Sequence, residues 1–130
     1  MKNPIATTAL VFALLVVSNT ASAGFGADDE KIAYPMPAPV KKAFVSKCFD
    51  CHNDAAKSDK AKRGFNFSTF SSLSDIQKIA ALNEVKKEII EENMPPQKLI
   101  VKHPEAALSK EESSLLIDWV KTESKALLQK

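Results

Sequence analysis

The protein has 130 residues, 45% hydrophobic and 26% charged, which is enough apolar material for one domain and too much for a disordered polypeptide. A formal net charge of +2 leaves no large basic surface for nucleic acid, and two cysteines cannot make a disulfide-dense scaffold. Residues 1–23 read as a secretory signal peptide: Lys2 is followed by an apolar run from Ala9 to Val17 and by Ala21-Ser22-Ala23, a small-x-small cleavage pattern. The run is too short to span ~30 Å of hydrocarbon. The mature protein, residues 24–130, is therefore expected to be exported, soluble and periplasmic, with no stable membrane insertion.

Residues 24–38 read as an extended arm, because Pro35, Pro37 and Pro39 at alternate positions oppose a helix. The remaining domain is residues 39–130. A first helix is expected from Val40, with Val40, Phe44, Val45, Cys48 and Phe49 on one face and an end near Cys51 or His52. Residues 53–63 look like a loop, and alternation at Phe65 and Phe67 suggests a short strand. A second helix is expected over 74–92 with Ser74 as N-cap and Asn83 as a candidate break. Asn93-Met94-Pro95-Pro96 must stop it. Ser109 with Glu112 makes a capping box for a last helix, Lys110 to about Leu127, striped by Leu115, Leu116, Trp119 and Val120. With no strand-rich stretch, the fold class is all-α, a small bundle of three to five helices.

Cys48-Phe49-Asp50-Cys51-His52 carries the chemistry. In an exported protein, the pattern C-x-x-C-H is the attachment signature for a c-type haem. The two sulfurs add to the haem vinyl groups as thioethers, and His52 presents an imidazole nitrogen to iron. Three other readings compete. A Cys48–Cys51 disulfide suits an oxidising compartment. A thioredoxin-like pair would need a β-α-β pattern, which the sequence lacks. A zinc site would need four ligands, and adjacent Cys51 and His52 fit one tetrahedron poorly. Candidates for the second axial position are Met94, held in a Pro-terminated turn 42 residues after His52, then His103 as runner-up, then Met36. The ordinary role of a lone Met is core filling. Phe44, Phe49, Phe65, Phe67, Phe70, Leu82, Val85, Ile89, Leu116 and Trp119 are the side chains expected around the macrocycle.

On these elements the sequence resembles class I c-type cytochromes, and more closely the small bacterial haem-binding domain group. The shared elements are Cys48 to His52, Met94-Pro95-Pro96, the stretch His103-Pro104-Glu105-Ala106-Ala107-Leu108-Ser109, and Leu116 with Trp119. The resemblance spans roughly residues 38–128. It departs after His52, where Asn53 to Lys60 replaces the tryptophans and prolines frequent in such domains. It implies a cytochrome c-like bundle around one covalent haem c, with His52 as proximal ligand, Met94 as distal ligand, and electron carriage.

The functional expectation is a one-electron carrier, not an enzyme, passing electrons between a redox protein donor and acceptor at a moderately positive potential. Lys41, Lys42, Lys47, Lys57, Lys60, Lys62 and Arg63 are candidates for a basic docking face, although a charge run is more commonly a solvated surface. The alternative is a gas-binding or sensor haem protein with an open or displaceable distal site. A peroxidase would need a distal acid–base group, for which His103 is the one imidazole besides His52.

Overall fold

The computed structural model describes residues 31–130, so the expected signal peptide and the first residues of the arm lie outside the described residues. Three long helices carry the fold: α1 (Ala38–Lys47), α4 (Asp75–Ile90) and α6 (Lys110–Leu127). Between them lie three short ones: α2 (Asp59–Gly64), α3 (Phe67–Phe70) and α5 (Gln97–Lys102). A 3-10 turn, Pro104–Ala106, links α5 to α6. The described residues contain no strand, so the all-α expectation holds.

Local chemistry sets the boundaries. α1 tolerates Pro39 because the first-turn N–H groups of a helix have no internal partner to lose. α4 and α6 each open on a full capping box. The Gln77 N–H donates to Ser74 Oγ at 3.3 Å while Gln77 Oε1 accepts from the Ser74 N–H at 3.0 Å. Ser109 and Glu112 do the same at 3.1 and 2.8 Å. α2 is capped by Ser58 and α3 by Asn66, whose Oδ1 accepts from the Ser68 N–H at 2.9 Å. These local hydroxyl and amide caps wind residues 59–64 and 67–70 into short helices, which corrects the strand expected at Phe65 and Phe67 and shortens the expected loop to residues 53–58. Asn83 sits in an unbroken α4, since its neighbours hold helical spacing and one exposed Asn costs little.

α4 and α1 both pack on α6. Leu116 and Val120 of α6, Leu82 of α4, and Val40 and Phe44 of α1 are fully buried at the junction. Aromatic edges complete it, with Phe44 and Trp119 centroids 5.6 Å apart and Phe44 and Phe67 5.3 Å apart. Residues 32–37 form no helix or strand, and two of their side chains enter the core. Ile32 is fully buried, and Tyr34 meets Phe70 edge-on at 4.8 Å while its hydroxyl donates to Glu123 of α6. This burial is invisible in the sequence because Pro-interrupted segments carry no periodicity from which it could be inferred. Among the described residues no helix is long and apolar enough to cross a membrane.

Candidate functional site

α1 stops at Lys47, with Cys48 as its C-cap, and the backbone then winds through Cys48–His52 in tight turns. The His52 N–H is shared between the Cys48 and Phe49 carbonyls, both at 3.1 Å, and the Cys51 N–H donates to the Cys48 carbonyl at 3.2 Å. Asn53 Nδ2 donates to the Phe49 carbonyl at 2.6 Å. This places both thiols and the imidazole on the wall of one cavity of about 900 Å³. The cysteines are not bonded to each other. Cys51 is exposed, whereas burial pushes the Cys48 thiol up to about 12, with Cys51 and Glu112 acting in the same direction.

His52 Nδ1 lies 2.9 Å from the Phe65 carbonyl oxygen. A carbonyl oxygen can only accept, so the proton of a neutral His52 sits on Nδ1 and Nε2 is left with its lone pair. That is the tautomer of a metal-binding imidazole whose other nitrogen is anchored by the backbone. A bond from the Phe67 N–H to the His52 carbonyl at 2.9 Å reinforces the anchor.

Met94 reaches the same cavity from the end of α4. The helix ends in a Schellman motif: the Glu92 N–H donates to the Ile89 carbonyl at 3.2 Å and the Asn93 N–H to the Glu88 carbonyl at 3.0 Å. Glu92 takes the left-handed position with φ of 55°. The Met94 N–H shares the Glu88 carbonyl at 3.3 Å, and the Pro95 ring behind it is buried. The turn is therefore fixed by three backbone bonds and one buried ring.

The rest of the wall is largely apolar. Phe44, Phe65 and Phe67 line it with Val85, Ile89, Leu99 and Leu108. Of the side chains expected around a macrocycle, Phe49, Phe70, Leu82, Leu116 and Trp119 do not line the cavity. They pack in or against the core behind it. Periodicity marks a helix face as buried without saying against what. Leu99 gives no periodic signal in the sequence, because α5 has little more than one turn, too short for a period to show, and Leu108 lies between two helices.

His103 and Met36 do not line the cavity. His103 caps the C-terminus of α5, with Nδ1 3.2 Å from Glu105 Oε1 on an exposed surface, and it borders a smaller cleft with Asp50 and Cys51. Met36 packs against the core. The expected basic face is also thinner than the sequence suggests. Lys41 is buried, Lys62 pairs with Asp59 at 3.1 Å, and Lys47 turns inward. Lys42, Lys57, Lys60 and Arg63 remain exposed, and Lys60 stands at the cavity.

A haem fits what is present. The volume lies within the range of small-molecule and cofactor pockets, the lining is mainly apolar, and the polar groups that converge on it suit the group. They are the thiols of Cys48 and Cys51, an imidazole with Nε2 free, and a thioether. No group of three or more His, Cys, Asp or Glu among the described residues could hold a bare metal ion, which disfavours a zinc site. A family model described as a haem-binding domain matches residues 55–122. The match begins three residues after His52 and takes in Phe65, Phe67, Met94 and all of α4 and α5. No curated protein and no solved structure matches the sequence.

Proposed function

This protein belongs to the haem-binding domain family, and on that premise we propose that it is a single-haem c-type cytochrome, an exported, periplasmic one-electron carrier with His/Met-ligated iron. The observation that supports the reading best is that one cavity gathers Cys48, Cys51, His52 and Met94 from two distant parts of the sequence. Cys48 and Cys51 would hold the macrocycle through thioethers, and His52 Nε2 and the Met94 sulfur would hold the iron. The bound group supplies the one-electron Fe(III)/Fe(II) couple.

The protein's own residues do the rest. The Phe65 carbonyl keeps His52 in one tautomer and makes it a better donor. The Schellman turn and buried Pro95 hold Met94 so that a weak thioether bond needs little further ordering. The phenylalanine wall excludes water, which favours the less charged reduced state and a moderately positive potential. His52 is the one imidazole on the cavity wall, so no distal histidine stands there for peroxide chemistry and carriage is the reading favoured. Redox proteins are the expected donor and acceptor.

Absorption spectra of protein made in a host with haem-ligation machinery test the reading. The oxidised form should show the weak red sulfur-to-iron band, and the reduced form should keep its spectrum under carbon monoxide. In Met94→Ala that band should vanish and carbon monoxide should bind. A wild-type protein with covalent haem that lacks the band and binds carbon monoxide is instead a gas-binding protein.

A further inference from the structure

Lys47 is the last residue of α1, one position before Cys48. Its side chain is 15% exposed, against 60% for Lys121. Its ammonium crosses about sixty residues of sequence to donate to the Glu105 carbonyl at 2.6 Å and the Ala107 carbonyl at 3.0 Å. It also lies 3.8 Å from Glu112 Oε2, the atom that accepts from the Ser109 N–H in the capping box of α6. The acceptors therefore sit in the 3-10 turn, at its end, and in the first turn of α6.

The 3-10 turn is packed on α5, and α5 begins directly after Met94-Pro95-Pro96. One charge thus joins the end of the helix that enters Cys48–His52 to the segment that leaves Met94. Hydrogen bonds from an ionised donor are about twice as strong as neutral ones, and this donor is largely shielded from water. A thioether is a weak ligand, so its retention would depend on how firmly its loop is held relative to His52.

We propose that Lys47 is a positioning residue that keeps the Met94 loop in register with the Cys48–His52 peptide and so closes the distal position to outside ligands. Its stem borders the cavity, but its ammonium is engaged by the Glu105 and Ala107 carbonyls and by Glu112, and it acts through them. The inference rests on the His/Met reading above and deepens it, since the same lysine separates a closed carrier from an open gas-binding site. Loss of a charge-assisted bond of this kind corresponds to about a tenfold change in an equilibrium.

The test compares purified wild-type holoprotein with Lys47→Met and Lys47→Arg, recording the oxidised red band and titrating the reduced proteins with carbon monoxide. Lys47→Met should have a weakened band and bind carbon monoxide about tenfold more tightly, while Lys47→Arg, which keeps charged donors, stays near wild type. If Lys47→Met melts at lower temperature but matches wild type in band and carbon monoxide affinity, the lysine only stabilises the fold and the proposal is wrong. If wild type itself lacks the band, the His/Met reading fails first and takes this inference with it. Should Lys47→Met yield no folded holoprotein, Glu112→Gln, which keeps a capping side chain, provides the comparison. It should tighten carbon monoxide binding about twofold, and an unchanged affinity overturns the proposal.

Discussion

The two thiols of the pentapeptide differ in environment although three residues apart. Cys51 is exposed, whereas burial raises the Cys48 pKa from 9.0 to about 12. Since the thiolate is the nucleophile, iodoacetamide at pH 8 should modify Cys51 of the apoprotein well before Cys48, as peptide mass spectrometry would read. Equal labelling would place Cys48 in water. Tyr34 is shifted upward too, first by burial and then by its hydrogen bond to Glu123. Both groups bind their protons more tightly folded than unfolded. Their stabilisation is complete below the unfolded pKa, about 9 for the thiol, and is lost as pH rises towards the folded values. The apoprotein should therefore melt at progressively lower temperature from pH 9 to 11. If Cys48 is held in a thioether as proposed, its share disappears and the holoprotein should lose less.

Helix ends show which local rules the sequence obeys and which it breaks. Ser109 satisfies its rule: Ser109→Ala removes the hydroxyl from the Glu112 N–H and should cost about 1 kcal/mol, seen as a lower melting temperature. Glu92 breaks its rule, standing at a φ of 55° where the Schellman motif favours glycine. Glu92→Gly should relieve the steric conflict at Cβ and stabilise by about 0.5–1 kcal/mol, a rise of several degrees in a domain of this size. No rise would mean that the Glu92 side chain makes a compensating interaction. The capping boxes are readable because their chemistry lies within four residues. The Glu92 conformation is not, because the residue type argues against it.

For the whole molecule, a cavity of about 900 Å³ in so small a protein means that the core proper is small. It rests on the α4–α6 and α1–α6 contacts, with Leu116 completely buried between them. Leu116→Ala should cost about 2–5 kcal/mol. That approaches the total stability of a marginal domain, so the apo variant should be largely unfolded by far-ultraviolet circular dichroism at room temperature. The holo variant should stay folded, because bound haem would add apolar contacts that the apoprotein lacks. A folded apo variant would show that the core tolerates the hole.

Much of this protein is legible from residues a few positions apart. The capping boxes of α4 and α6, the double-proline stop after Met94 and the C-x-x-C-H pentapeptide all act within one or two helical turns, so adjacent residue types suffice to read them. What required the tertiary structure were the relations across tens of residues. Met94 faces the Cys48–His52 cavity and His103 does not, although both are potential iron ligands in proline-rich turns. Ile32 and Tyr34 enter the core from a segment without periodicity, and the Phe65 carbonyl anchors His52 through a backbone atom common to every residue. Lys47 reads as one more solvated helix lysine until packing brings the Glu105 and Ala107 carbonyls to it. Long-range contacts of this kind depend on which helix faces meet, and burial, unlike capping, is not encoded by near neighbours.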